Sequence, residues 1–136
     1  MLNLVPLIIF RGEPPAKGGS IFSKENDKYH PDVIVNFNEK AWNNGALFLE
    51  WITQELIPIM KPTEIDPVLL AIDCVSFHKT PGVLETLKAN HGQVVMVPPG
   101  CTGILPLDTH VNKPFKAILS ELVEEDTQNK EEANPG

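Results

Sequence analysis

The chain has 136 residues, with 18 Asp and Glu against 11 Lys and Arg and a formal net charge of −7; this length suits one domain that buries roughly two thirds of its unfolded surface. Residues 121–136 hold six acids and one Lys, net −5, which leaves −2 for the first 120 residues. That balance shows no basic patch of the kind that gives tight, sequence-independent DNA binding. No apolar run is long enough to span a bilayer, and two cysteines without a signal peptide fit a reducing compartment rather than a disulfide scaffold.

In chain order, Leu4 to Phe10 reads as a strand and Arg11 to Gly19 as a turn-rich loop dense in Pro and Gly. A core strand this close to Met1 has no earlier partner in sequence, which suggests truncation. Ser20 to Asp27 suits one or two helical turns, and Val33 to Phe37 a second strand. From an N-cap at Asn43 or Asn44, Leu47, Phe48, Trp51, Ile52 and Leu56 share one helical face, and Pro58 is expected to stop that helix. Trp42 and Trp51 are chemically able to stack on bases, but aromatic residues at helical spacing are far more often core.

Val68 to Ile72 is apolar without alternation, as in a central strand covered on both faces, and it ends on Asp73. An acid is costly to bury unpaired, so Asp73 either sits at the sheet edge where loops build sites or caps the turn through Thr80 and Pro81. Pro81 to Asn90 forms a helix with Thr80 as N-cap and Val83, Leu84 and Leu87 inward. Val94 to Val97 follows as a strand, so a right-handed parallel crossover is expected. Lys113 to Glu125 is an amphipathic helix with Phe115, Ile118, Leu119 and Leu122 on its inner face, and from Asp126 the polar tail is expected to be disordered. The expected organisation is therefore one domain over residues 1–125 and an acidic tail over 126–136.

Asp108 stands in the loop before that last helix, where a plain N-cap is the ordinary reading. Two carboxylates at the end of a strand and the start of a helix also meet the needs of a two-metal phosphoryl-transfer site, because hard divalent cations take oxygen ligands. A zinc site from Cys74, His78, Cys101 and His110 matches no closed spacing pattern, and both cysteines read better as small buried hydrophobes.

The words around the two acids carry more. Ile72-Asp73-Cys-Val-Ser-Phe-His78-Lys-Thr80 resembles the second-acid motif of the pogo and Tigger group of transposases in the DDE endonuclease superfamily. Pro98-Pro-Gly-Cys-Thr102, Pro106-Leu-Asp108 and Val111-Asn-Lys-Pro-Phe-Lys116 resemble the third-acid segment of that group. Pro6-Leu-Ile-Ile-Phe-Arg-Gly12 is similar to its early strand and Asn43 to Pro58 to its intervening helix, so the resemblance runs from about residue 4 to about 125.

The resemblance implies an α/β, ribonuclease H-like mixed sheet flanked by helices, and a nuclear enzyme core that cuts and joins DNA with Mg²⁺ or Mn²⁺. Asp73 and Asp108 would be the second and third catalytic, metal-ligating acids. His78 and Lys79 would contact phosphate or orient the acid; a turn residue bonded to local backbone is the plain alternative for His78. Two departures matter. The first catalytic acid and the strand carrying it, like the DNA-binding helix-turn-helix segments, would lie upstream of residue 1, and neither Asp27 nor Asp32 replaces that acid. Ile104-Leu105 stands where the family has a Gln before Pro-Leu-Asp, and the segment looks one residue shorter. The chain alone is therefore expected to be inactive in strand cleavage. The competing expectation is a domesticated, non-catalytic module that associates with DNA or chromatin proteins in the nucleus, with the acidic tail as a partner-binding segment.

Overall fold

The structure is a computed structural model that describes residues 4–14, 20–101, 103 and 107–133, with the backbone alone at positions 20, 22, 23, 107 and 108. Its described elements are β1 (Leu7–Arg11), α1 (Ser20–Glu25), β2 (Ile34–Asn38), α2 (Gly45–Trp51), α3 (Ile57–Met60), β3 (Val68–Asp73), α4 (Pro81–Ala89), β4 (Gly92–Val97) and α5 (Lys113–Ala133). The chain forms two compact units, Met1–Met96 and Val97–Gly136.

In the first unit β1 and β2 run parallel, with Leu7 beside Ile34 and Arg11 beside Asn38. β3 pairs with β4, and Val68 N donates to His91 O across 3.2 Å, so the two strands start side by side, as the α4 crossover requires. The described strands pair as two two-stranded sheets. The mixed α/β composition of short strands and helices is consistent with the ribonuclease H-like fold of a DDE endonuclease.

One apolar cluster organises this unit. Ile52 and Val83 are 0% exposed and Leu87 1%, joined by Phe48, Leu56 and Ile72. They come from the helix over 45–60, from α4 and from β3, which is why the sequence periodicity of these elements and their packing agree. Asn44 is the N-cap of α2, its side-chain oxygen accepting from Leu47 N at 3.0 Å.

Pro58 does not end that helix. Residues Ile52–Leu56 form a wider π-turn, Pro58 falls in the first turn of α3, and the helix stops at Lys61, whose φ of 47° is left-handed. A proline lacks the N–H that an interior turn requires and its ring crowds the preceding turn, and the widened turn takes up that conflict.

Several side chains lie elsewhere than the pattern suggests. β3 is not covered on both faces: Val68 and Ile72 are buried, but Leu69 is 65% exposed and Ala71 is exposed too. An apolar run reports affinity for cover on both faces, and the cover itself is non-local. Leu84 of α4 is also partly exposed, and Thr80 holds the N-cap position of α4 as expected but turns its hydroxyl back to Phe77 O at 3.3 Å. Trp51 stacks on Phe48 at 6.2 Å as a packing residue, whereas Trp42 is 77% exposed. Cys74 and Cys101 are free and half-buried rather than buried.

In the second unit a π-turn over Leu107–Asn112 leads into α5. No residue of α5 is buried, and Phe115, Ile118, Leu119 and Leu122 are 48 to 59% exposed, not inward. The helix also continues through Asp126–Ala133, where a disordered tail is expected from composition. Helix-favouring Glu, Gln, Lys and Ala extend it, with a Lys130–Asp126 pair at 2.5 Å one turn apart and Thr127 Oγ1 donating to Val123 O at 2.8 Å. Residues 134–136 of that tail lie outside the described residues.

Candidate functional site

β3 ends at Asp73, and the chain then passes through Cys74 and Val75 into a single tight turn over Ser76–Lys79 before α4 begins. His78 N donates to Val75 O at 3.2 Å, which closes the turn and swings the His78 ring back toward the strand end. Its Nδ1 reaches Asp73 twice: 2.8 Å from carboxylate Oδ1 and 3.1 Å from the backbone oxygen. The His78 side chain is 12% exposed and the Asp73 side chain 40%, so the acid is anchored on one side and open to solvent on the other.

The ring is boxed by aromatics. Phe48, from the buried face of α2, lies 4.5 Å from the His78 ring centre and Phe77 4.3 Å from it, while Phe48 and Phe77 meet edge to face at 6.0 Å. Gly45, in the first turn of α2, lies beside Thr80 at the far end of this turn. A separate open, largely apolar groove beside β1 and α2 is lined by Leu7, Ile9, Phe48 and Trp51.

Sequence reasoning places Asp73, Asp108, His78 and Lys79 at the site. The structure brings Asp73 and His78 into contact and puts Lys79 on the exposed end of the same turn. Asp108 stands in the turn that leads into α5, in the second unit, and its side chain lies outside the described residues, as do Ile104, Leu105 and Pro106. Phe48 was legible only as a core residue; its contact with His78 is a long-range one that no local pattern announces.

As a half-exposed carboxylate, Asp73 has the oxygen chemistry that hard divalent cations take, and it fits as one ligand of such an ion. Among the described residues no three His, Cys, Asp or Glu side chains gather into a metal site, so Asp73 does not complete one with its described neighbours. The described helices include none long and apolar enough to cross a membrane.

A strand, a turn and a crossover helix, repeated among short strands and helices, define the class as an α/β protein. Residues 2–134 match the DDE superfamily endonuclease family, and the chain belongs to that family. No curated protein and no solved structure matches it.

Proposed function

We propose that the chain is catalytic-core material of a pogo or Tigger-type transposase, with Asp73 as its second and Asp108 as its third metal-ligating acid. The observation that carries this reading is the half-exposed Asp73 carboxylate, held at the end of β3 by His78 within a chain matched to the DDE family from residue 2 to residue 134. The substrate is DNA and the compartment the nucleus. A bound Mg²⁺ or Mn²⁺ would supply the activation of water or a 3′-hydroxyl and the stabilisation of the leaving oxygen that phosphodiester transfer needs. The chain's own part is to hold oxygen ligands in place at residues 73 and 108. In this reading neither Asp27 nor Asp32, which both follow β1, replaces the family's first acid, so cleavage by this chain alone is not expected.

A second reading rests on α5. Its half-exposed apolar stripe, running into an acidic end, has the chemistry of a helix that binds a chromatin protein, as in a domesticated and non-catalytic descendant. Calorimetric titration of Mn²⁺ into the full chain, with Asp73→Asn and Asp108→Asn beside it, separates the two. Binding that both substitutions weaken supports the catalytic reading. No heat at millimolar metal removes it and leaves the interaction module. Nicking of supercoiled DNA by the chain, lost in Asp73→Asn, would overturn the expected inactivity.

A further inference from the structure

We infer that His78, boxed in by Phe48 and Phe77, is a positioning residue that pins one oxygen of the Asp73 carboxylate as an Nδ1–H donor and leaves the other oxygen for a cation. The inference deepens the reading of Asp73 as a metal ligand and rests on it. Both atoms that face Nδ1, the carboxylate Oδ1 at 2.8 Å and the backbone oxygen at 3.1 Å, only accept hydrogen bonds. A nitrogen lone pair aimed at either would be repelled, so the hydrogen sits on Nδ1. Of the two roles that the sequence leaves to His78, orienting the acid is the one that these two Nδ1 contacts serve.

The ring has little freedom to leave this pose. Phe48 packs 4.5 Å from its centre and is itself buried in the core, Phe77 sits at 4.3 Å, and the turn is closed by the bond from His78 N to Val75 O. The core of the first unit thereby fixes the acid through an aromatic residue of α2 that makes no contact with DNA or metal in this reading. A partner of this kind, behind a ligand, sets the ligand's direction and not its charge.

Long-range ¹H–¹⁵N spectra of the metal-free, ¹⁵N-labelled full chain read the tautomer directly, with the His78 signals assigned by their loss in His78→Asn. The expected result is a hydrogen on Nδ1; a ring that carries its hydrogen on Nε2 alone overturns the inference. Phe48→Leu is expected to let both tautomers appear, and a ring unchanged by that variant removes Phe48 from the account. Mn²⁺ titration then tests the consequence. His78→Ala should weaken binding by about tenfold to a hundredfold, while His78→Asn, whose amide donates from nearly the same place, should recover most of it, with melting temperatures checking that each variant folds. Unchanged affinity in His78→Ala, or no recovery in a folded His78→Asn, overturns the positioning role. Absence of Mn²⁺ binding in the unsubstituted chain defeats the reading of Asp73 as a ligand, and the tautomer spectra still decide whether His78 pins its carboxylate.

Discussion

The helix over residues 45–60 and helix α5 carry the same kind of apolar stripe, and the structure treats them differently. The first buries Phe48, Ile52 and Leu56, while α5 buries nothing and leaves Phe115, Ile118, Leu119 and Leu122 about half exposed. The comparison shows that a stripe records a face that gains from cover, at roughly 25 cal/mol per Å² of apolar surface removed from water. What covers the face is a separate matter, settled by elements distant in sequence.

The largest expected effect widens that contrast. Ile52 is 0% exposed, so Ile52→Ala should cost about 2–5 kcal/mol in urea unfolding followed by circular dichroism. Leu122→Ala on α5, a similar truncation on an equally apolar stripe, should change stability by no more than about 0.5 kcal/mol. A loss at Leu122 as large as that at Ile52 would mean that α5 is covered in solution.

Next comes the crossover between α4 and β4. At Gly92 an added Cβ would lie 2.9 Å from the Leu87 carbonyl oxygen, a contact with backbone that no side-chain rotation relieves. Gly92→Ala should therefore cost about 1–3 kcal/mol, measured as a lower denaturation midpoint at unchanged slope. A smaller loss, about 1 kcal/mol, is expected for Asn44→Ala, which frees the Leu47 N–H at the start of α2, and Asn44→Asp or Asn44→Ser should keep most of the stability.

The smallest effect lies at the β1–β2 end of the first unit. Tyr29, the single tyrosine of the chain, donates its hydroxyl to Glu25 Oε2 at 3.1 Å. Partial burial, then that hydrogen bond and the Glu25 charge, raise its pKa above the ordinary 10.0. A raised value means that the folded state holds the phenolic proton more tightly. The associated stability is present below the unfolded-state value and is lost as pH rises through the folded one. Absorbance titration near 295 nm should find Tyr29 ionising late, and Glu25→Gln should bring it back toward 10.0.

How much of this was legible in the sequence follows from which interactions are local. The strands at Leu7–Arg11 and Ile34–Asn38, the N-cap at Asn44 and the strand–helix–strand order around α4 are written in runs, caps and periods within a few residues. Pro58 misleads because its conflict is resolved by a wider turn at Ile52–Leu56 rather than by stopping the helix. β3 misleads because its apolar run asks for two covered faces while Leu69 and Ala71 stay exposed. The tail misleads because acidic composition with few aromatics argues against a packed core, and a solvated helix needs no core.

The same division holds at the site. Asp73 and His78 are five residues apart, so one turn brings them together and the motif that contains them is readable. The contribution of Phe48 depends on how α2 packs against that turn, and it becomes visible only with the fold.

The central claim is that Asp73 is a cation-binding acid. It is tested most directly by substituting Fe²⁺ for the magnesium-like ion and adding ascorbate and peroxide, so that radicals formed at the metal cut the nearby backbone. The account predicts cuts at the carboxyl end of β3 and the turn at Ser76–Lys79, absent in Asp73→Asn and suppressed by excess Mn²⁺. Cutting elsewhere, or cutting beside residue 73 that persists in Asp73→Asn, would contradict it.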